Sequence, residues 1–336
     1  MFRTLISKRR QNLVIMSTRR VLLVADRPNW AYDTIARALV KFNDDPDLIL
    51  DIEYVKNGKR LLENIHRDYD LIFFLGWQTL LRNESYKLRY KFIDKKKILT
   101  GIHSHHAWDG RASSPDKSIP PPIELIMFLK QFAGVNAVSR RLYELFLGSG
   151  LDTVTYTPNG VDTSIFTATN EERVNNELRV GFSGNDQHDW RKGIREFIEP
   201  ATRMDGISLK LAMPNDGHHV APDQMPSFYE NIDVYLCASL SEGFSLSVLE
   251  AAASGCPIIS TRIGGCEDLI IDGVNGFFVD RDVQQFREKL MSFRDDHETL
   301  RKMGRQSRQI TNQLWSWKIR APAWLAFINS RLRALD

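Results

Sequence analysis

The chain has 336 residues, which is more than one hydrophobic core usually supports, so two domains are expected. Hydrophobic residues make up 43% and charged residues 26%, as in ordinary globular proteins, and no apolar run approaches the roughly 20 residues of a transmembrane helix. The net charge of +3 is too small and too localised to indicate a nucleic-acid-binding surface.

The positive charge is concentrated at the N-terminus. Residues 1–20 contain six Lys or Arg and no acid, so the rest of the chain is slightly acidic. The longest apolar stretch there, LVIM, is too short for the hydrophobic region of a secretory signal. We expect residues 1–18 to be a disordered tail, or a stretch upstream of a true start at Met16. A weak interfacial helix on anionic lipid is the alternative.

The cysteines indicate a reducing compartment. Cys237, Cys256 and Cys266 are an odd number, and no two of them have the Cys-x-x-Cys spacing of a redox or zinc site. Each lies in apolar or loop sequence, which is typical of reduced packing thiols. We therefore expect a cytoplasmic protein without a cysteine-bound metal.

The first half alternates short apolar runs with helix-like segments, which indicates a parallel sheet covered by helices on both faces. The strands are predicted at 21–26, 50–55, 70–77, 97–104 and 135–139. Helical spacing appears at 34–42 and again at 140–150, where Gly148 or Gly150 is the expected stop signal.

The second half repeats this scheme after a turn-rich, polar linker. Its strands are predicted at 178–184, 208–213, 234–239, 257–261 and 276–279. The expected architecture is α/β, with two Rossmann-like domains at 19–170 and 171–318. A last helix at 319–336 is expected to return to the first domain. Ligands of such sheets bind at the carboxyl ends of the strands, so the cleft between the domains is the expected site.

The segment SEGFSLSVLEAAASG, which begins at Ser241, places two carboxylates eight positions apart. Glu242 falls in a loop after a predicted strand, and Glu250 lies in an otherwise apolar run that should form a buried helix. Ser247 and Glu250 also fit a capping box, in which Glu250 would bond back to the first amide of its own helix. Spacing alone leaves open whether Glu250 is a site residue or a cap.

Three glycine-containing loops lead from strands into helices in this half. They contain Gly184, Gly243 and Gly264, and each offers backbone amides and the positive end of a helix dipole to an anion. Lys192, after the first loop, is suited to neutralise a diphosphate. Carboxylates repel phosphate but accept hydrogen bonds from hydroxyls, so the nearby glutamates favour ribose and sugar hydroxyls attached to that diphosphate.

These residues resemble the signature of the family-4 retaining glycosyltransferases, which have the GT-B fold. The matching features are Glu242-(x7)-Glu250, the GCPII strand from Gly255, Gly264-Gly265, Glu267 and DGVNGFFV from Asp272. The segments TPNGVDTSIF at 157–166, VSRRLYELF at 138–146 and WSW at 315–317 match as well. The resemblance covers roughly residues 97–320; it is specific in the C-terminal block and mainly architectural in the N-terminal domain.

The resemblance implies a retaining, metal-independent and cofactor-free glycosyltransferase whose two domains face a central cleft. It implies that Glu250 binds the ribose hydroxyls of the nucleotide. Glu242 would hold the hydroxyls of the donor sugar and stabilise charge near the anomeric carbon. His103, at the end of a predicted strand, would face the donor sugar from across the cleft.

By the same resemblance, Lys192 would hold the diphosphate leaving group. The backbone amides of Gly243, Phe244 and Ser245 would assist it, and Gly184 opens the loop that leads to the lysine. A nucleoside diphosphate leaves readily once its charges are neutralised, so this arrangement agrees with the chemistry.

Three positions depart from the family pattern. Asn185 follows Gly184 where an arginine is usual, so diphosphate binding would depend more on Lys192, with Arg191 as a substitute cation. Ser245 replaces the second glycine of the usual Glu-Gly-Phe-Gly. The first loop, DRPNWAYD from Asp26, lacks the usual glycine pair, and its Trp30 and Tyr32 are candidates for shaping an acceptor site.

Other features have simpler explanations. His103, His105 and His106 lie together but lack neighbouring acids or cysteines, so no metal site is predicted. Asp45-Pro46-Asp47 resembles a metal-binding DxD motif but is expected to be a surface turn. The basic segment 86–97 is predicted to be a solvated helix face, with contact to an anionic membrane or acceptor as the alternative. The tryptophans of WSW are expected to pack.

We therefore predict that the protein transfers a sugar from a nucleoside-diphosphate sugar to a glycan, lipid-linked or small-molecule acceptor. The expected setting is cell-surface or lipid-linked glycan synthesis in the cytoplasm, with peripheral contact at the inner membrane face as a further expectation. Two alternatives remain: a nucleotide-sugar epimerase, and a catalytically silent nucleotide-sugar-binding protein, for which the missing arginine is the best argument.

Overall fold

The computed structural model describes residues 18–55, 62–81, 86–104, 118–168, 177–185, 187, 189–215 and 217–335. Predictions for the basic tail before residue 18, for His105 and His106, and for the domain junction near residue 170 lie outside these ranges. None of the helices within them is both long and apolar enough to cross a bilayer.

A six-stranded parallel sheet, in the order β2-β1-β3-β4-β5-β6, forms the core of the first domain. Its strands are β1 (Arg19–Ala25), β2 (Leu48–Tyr54), β3 (Leu71–Phe74), β4 (Ile98–Ile102), β5 (Gly134–Ala137) and β6 (Val154–Tyr156). All residues of β3, β4 and β5 are buried, as expected for parallel strands covered on both faces. The short edge strand β6 was not predicted from the sequence.

The helices of the first domain flank this sheet. They include α1 (Ala31–Lys41), α2 (Ile123–Leu129) and α3 (Arg140–Gly148), with 3-10 turns at His66–Asp68, Trp77–Leu80 and Lys95–Lys97. The hydroxyl of Ser139 caps α3 by accepting a hydrogen bond from the amide of Leu142. Gly150 takes the left-handed conformation with φ of 90°, so it supplies the stop signal just beyond the helix.

The basic segment 86–97 is not the helix that the sequence analysis expected. Leu88 and Tyr90 are buried, whereas Lys87, Arg89 and Lys91 between and beside them are exposed. This period of two is that of an extended chain, and Leu88 makes an isolated antiparallel bridge with the preceding segment. The prediction was wrong because it followed the charges of the segment and overlooked the strict alternation of apolar and basic residues from Tyr86 to Phe92, which is typical of an extended chain.

The second domain is built on a five-stranded parallel sheet in the order β11-β10-β9-β7-β8. Its strands are β7 (Leu178–Ser183), β8 (Ile207–Ala212), β9 (Val234–Cys237), β10 (Ile258–Ser260) and β11 (Gly276–Phe278). Its α-helices are α4 (Asp189–Lys192), α5 (Glu199–Thr202), α6 (Met225–Glu230), α7 (Leu246–Ala253), α8 (Gly264–Leu269), α9 (Val283–Asp295) and α10 (His297–Ile310). Shorter turns are π-helical at Ile194–Ile198 and Thr311–Trp315 and 3-10 at Pro222–Gln224.

The last helix, α11 (Trp317–Leu332), packs on the first domain rather than the second. Trp324 is fully buried, its ring lies 6.0 Å from that of Phe73 in β3, and its indole nitrogen donates to the oxygen of Pro158 over 2.9 Å. Near the C-terminal end of the helix, the side-chain amide of Asn329 donates to the carboxylate of Asp45 over 2.8 Å. Asp45 also accepts from the amide of Asp47, so the DxD-like motif forms a turn fastened to this helix.

We expect Trp324→Ala to lower the free energy of unfolding by roughly 3–5 kcal/mol, because it leaves a large cavity and an unpaired Pro158 oxygen. Ile319→Ala on the same helix is the matched control, since Ile319 is 50% exposed. Chemical denaturation monitored by circular dichroism measures both variants. Equal small losses would contradict the anchoring role of α11.

Candidate active site

The predicted donor-binding residues follow the carboxyl ends of β7 and β9, which are neighbours in the second sheet. His103 follows β4 of the first sheet and lies opposite them. The two sides touch, because a Cβ added to Gly243 would lie 1.9 Å from the main-chain oxygen of His103. Only glycine permits this approach, so Gly243 marks the point where the two domains meet.

The carboxylate of Glu242 is bound by two cations of its own domain. Lys192 Nζ donates to Oε1 in an ion pair, Arg191 Nη1 lies 3.8 Å from Oε2, and Ser239 Oγ donates to Oε1 over 3.1 Å. Burial alone would raise the pKa of Glu242, but the cations and hydrogen bonds outweigh it and lower the pKa to about 2. Glu242 is therefore ionised at neutral pH, and it engages the lysine that was predicted to bind the diphosphate.

The loop after β7 surrounds the stem of Lys192. A Cβ added to Gly184 would lie 3.8 Å from Lys192 Cε, so the predicted neighbours are adjacent. Asn185 accepts a hydrogen bond from the amide of Gln187 over 3.0 Å and thus stabilises its own loop. Arg191 is buried and donates to the oxygen of Ser241 over 3.1 Å, which ties it to the loop that carries Glu242.

Glu250 is not the helix cap that its spacing allowed. Helix α7 begins at Leu246 after Ser245, and no side chain caps its first turn, so Glu250 lies in the second turn. Its Oε2 accepts a hydrogen bond from the hydroxyl of Tyr229 over 2.8 Å. The capping-box interpretation is wrong because the helix already starts at Leu246, so Ser247, which would have been the cap, lies inside its first turn.

A buried hydroxyl network supports Glu250. Tyr229 shares a hydrogen bond of 2.7 Å with Ser183 Oγ, and the hydroxyl of Tyr235 donates to the main-chain oxygen of Ser183 over 2.9 Å. Burial raises the pKa of Glu250 to about 7, although the Tyr229 hydrogen bond opposes the shift. A carboxyl group kept in such surroundings costs stability, which favours a binding role over a structural one.

The loop glycine that the family usually has is replaced by Ser245 without leaving a free hydroxyl in the loop. Ser245 Oγ is 3.0 Å from Ser247 Oγ, and the residue is buried. The preceding Phe244 is also buried, with its ring 5.1 Å from that of Trp315. A Cβ on Gly265 would lie 2.2 Å from the Phe244 ring, so α8 packs directly against this loop. Trp315 supports the loop from behind, as the packing prediction for WSW expected.

His103 meets the second domain through its backbone. Its imidazole packs edge-on to Tyr32, with ring centroids 4.9 Å apart, and lies 6.2 Å from Trp324. Burial lowers the pKa of His103 to about 3, so the imidazole is neutral at physiological pH. Its Nε2 atom is buried, and a hydrogen bond with the backbone of Leu75 opposes the lowering of the pKa.

The two acceptor candidates of the first loop occupy different environments. Tyr32 lies inside the site, because its phenol fills the space next to Gly76, where an added Cβ would lie 2.5 Å from the hydroxyl. Trp30 is 37% exposed and is covered by the guanidinium of Arg27, 3.0 Å from the ring centroid. The structure therefore places Tyr32, but not Trp30, against His103.

Asp26 is a candidate site residue that was not selected from the sequence. It follows β1, the strand adjacent to β3 in the sheet, and its Oδ1 atom is buried without a described hydrogen-bond partner. Burial raises its pKa, and its charge also helps to raise the pKa of Tyr32, whose larger cause is burial. An acid directly after the first strand of the domain was the signal that could have identified it.

A second contact between the domains lies where α3 faces α8. Arg141 Nε donates to Glu267 Oε2 over 2.7 Å, and Asp268 Oδ2 accepts from the amide of Arg140 and from the hydroxyl of Tyr156. These bonds border a cavity of about 550 Å³ between the two helices. They join the two sides of the cleft at a place separate from the Gly243 contact.

Comparisons with known proteins identify relatives of part of the chain. Residues 217–310 match the family model of the glycosyl transferases group 1. A D-inositol 3-phosphate glycosyltransferase of Corynebacterium diphtheriae is 36% identical over 112 residues, which are 33% of this chain and 25% of that protein. A sucrose synthase of Melioribacter roseus is 33% identical over 95 residues, 27% of this chain and 12% of that protein. The matched stretches thus span a quarter or less of these relatives.

Two solved structures resemble the whole chain. Alr3699/HepE from Anabaena, in complex with UDP and glucose, matches with a TM-score of 0.69 and 14% identity, and the match covers 94% of this chain and 100% of that chain. A sucrose-phosphate synthase from Thermosynechococcus elongatus matches with a TM-score of 0.72 and 16% identity, and the match covers 95% of this chain and 100% of that chain. The predicted GT-B fold, with two Rossmann-like domains, is confirmed.

The family match therefore covers part of the second domain, and the likeness to solved structures extends over the fold. The match of the family model lies in the second domain and includes Glu242, Glu250 and Glu267, whereas Lys192 and His103 lie outside it. The roles of the individual site residues remain predictions.

We expect Glu250→Gln to stabilise the protein at alkaline pH. The folded-state pKa of about 7 exceeds the unfolded value of 4.5, so the contribution of Glu250 to stability is complete below about pH 4.5 and is lost as the pH rises through 7. Glutamine keeps the shape without the charge. The variant should exceed the parent by about 2 kcal/mol at about pH 8, and by much less at about pH 5.

Thermal melts across this pH range measure the difference, and Glu196→Gln at an exposed position controls for loss of a carboxylate. A stability difference that does not change with pH would contradict the burial of an ionisable Glu250.

Proposed function

We propose that the protein is a retaining glycosyltransferase that moves a sugar from a nucleoside-diphosphate sugar to an acceptor. The observation that carries this proposal is the convergence of Lys192, Glu242 and Glu250 at the carboxyl ends of neighbouring strands. They lie beside the point where Gly243 meets His103 of the other domain. The cation fits the diphosphate of a nucleotide sugar. The two carboxylates fit the hydroxyl groups of the sugar and of the ribose, which lie on either side of that diphosphate.

The diphosphate is proposed to bind Lys192 and the first amides of α7. No side chain caps those amides, so they and the positive end of the helix dipole are available to an anion. In the free protein Lys192 pairs with Glu242 instead. Binding of the donor therefore exchanges one anionic partner of the lysine for another, without leaving the cation unpaired.

The sugar is proposed to lie against Glu242, released from Lys192 by the incoming diphosphate. Its carboxylate accepts hydrogen bonds from sugar hydroxyls and stabilises the positive charge that develops at the anomeric carbon. The bond from that carbon to the diphosphate breaks while an acceptor hydroxyl attacks from the same face. The hydroxyl proton passes to the departing phosphate oxygen, so no protein base is required.

The ribose is proposed to bind Glu250, which Tyr229 holds in place. A carboxylate accepts hydrogen bonds from both hydroxyls of a ribose diol, whereas its protonated form accepts less well. Nucleotide affinity should therefore increase as the pH rises through about 7.

The acceptor hydroxyl is proposed to contact Tyr32 and Asp26, on the side of the first domain. The buried Oδ1 of Asp26 is free to accept a hydrogen bond from such a hydroxyl. Asp26→Asn should lower transfer relative to hydrolysis of the donor, because only the acceptor step uses this oxygen. Equal effects on transfer and hydrolysis would oppose the assignment.

We place the reaction in the cytoplasm and in cell-surface or lipid-linked glycan synthesis. The three cysteines are buried and form no disulfide, in keeping with a reducing compartment. Metal independence is part of the proposal, and the lysine and helix amides would supply the charge that a metal supplies elsewhere. Within the described ranges, no group of three or more His, Cys, Asp or Glu is arranged to hold an ion.

Incubation with a panel of UDP-, GDP- and ADP-sugars tests the proposal. We expect slow release of the nucleoside diphosphate from one of them. Lys192→Ala should weaken binding of the released diphosphate at least tenfold, since a charge-assisted hydrogen bond contributes roughly 1.5–3 kcal/mol. Lys210→Ala, at an exposed position of β8, is the control.

The other outcomes identify the alternatives. Isomerised donor without release would indicate an epimerase, and tight binding without turnover would indicate a silent binding protein. Either result would overturn the proposed transferase.

A further inference from the structure

The basic segment 86–97 forms a cationic surface on the first domain. Lys87 and Arg89 alternate with the buried Leu88 and Tyr90, so their side chains leave the same side of the chain, and the exposed Lys91 follows in a turn. Within the described ranges, none of the three forms an ion pair with a carboxylate. Phe92, which follows them, is 40% exposed.

Helix α2 adds exposed apolar side chains next to this segment. Ile123 is 61% exposed and Met127 is 64% exposed, and a spacing of four places them one above the other on the same helix face. The basic segment contacts this helix and the residues just beyond it. The ring of Tyr86 lies 6.3 Å from that of Phe128, and Lys95 Nζ donates to Gln131 Oε1 over 2.5 Å.

Cations therefore adjoin large apolar side chains on one flank of the first domain. Among the described residues, acids also lie on or beside this flank. Asp94 accepts a hydrogen bond from the amide of Lys96, Glu124 lies in the first turn of α2, and Glu63 acts on Tyr90 through its charge. Outside the first twenty residues the chain is slightly acidic, so this concentration of positive charge is local.

We propose that this flank, defined by Lys87, Arg89, Lys91, Phe92, Ile123 and Met127, docks the protein on an anionic phospholipid bilayer. A bilayer matches both halves of the surface, because its headgroups attract the cations and its acyl boundary accepts the apolar side chains. Ile123 and Met127 supply apolar surface that such an interface would bury. A nucleic acid would satisfy the cations but not the aliphatic side chains.

The proposal is independent of the glycosyltransferase reaction. It uses no residue of the candidate active site, and its failure would leave the donor-binding experiments unaffected. Equally, a protein without transferase activity would still bind vesicles.

Co-sedimentation of the full chain with vesicles tests the docking surface. One set is phosphatidylcholine alone, and the other is an equal mixture of phosphatidylcholine and phosphatidylglycerol. We expect binding to the anionic vesicles, weakened by salt, and none to the neutral vesicles. The variant K87E/R89E/K91E should lose more than tenfold in partitioning.

The matched control is R301E/K302E/R305E, which makes the same charge change at exposed positions of α10. It should bind as the parent does. The variant I123S/M127S, compared with L314S/I319S at other half-exposed positions, should lose the part of the binding that survives high salt. Circular dichroism verifies that every variant is folded.

Several outcomes would overturn the proposal. The first is that the protein does not bind anionic vesicles, and the second is that both charge-reversal variants lose binding equally. The third is that K87E/R89E/K91E still binds, which would assign the membrane binding to another region such as residues 1–17. Displacement by inorganic phosphate at constant ionic strength would indicate a soluble anion site, and tighter binding to duplex RNA would indicate a nucleic-acid surface.

Discussion

The charge of Glu242 is the constraint on which the candidate site depends. A buried carboxylate is unfavourable unless cations and hydrogen bonds compensate it, and Lys192, Arg191 and Ser239 provide that compensation. In doing so they fix the two loops that follow β7 and β9. Gly243, the next residue after Glu242, is thereby held against the backbone of His103, so the same compensation also sets where the domains meet.

The two glutamates illustrate opposite solutions to burial. Cations lower the pKa of Glu242 to about 2, whereas Glu250 has a tyrosine as its partner and a pKa raised to about 7. The first carboxylate is charged before any ligand arrives, and the second is poised between its two forms. A donor molecule that brings phosphates to Lys192 and hydroxyls to both carboxylates would relieve the strain at each position, which is why we infer a nucleoside-diphosphate sugar.

Sequence patterns predicted the two parallel sheets, because buried strands are continuous apolar runs, and the motif around Glu242 identified the second domain. They failed where structure depends on contacts between distant segments. Nothing near Glu250 indicates Tyr229 as its partner, and the start of α7 at Leu246 rather than beyond Ser247 is set by the packing of Phe244 on Trp315 and α8. The segment 86–97 was misassigned as a helix although its apolar and basic residues alternate from Tyr86 to Phe92, because the prediction followed its charges and not its apolar positions.

The most direct test of the account is the affinity of nucleoside diphosphates for Glu242→Gln. If Lys192 must leave Glu242 to bind a diphosphate, removing the carboxylate charge frees the lysine. Isothermal titration with UDP, GDP and ADP should then show tighter binding to the variant than to the parent for the preferred nucleotide. Equal or weaker binding to the variant would contradict the exchange of partners at Lys192 and, with it, the proposed location of the diphosphate.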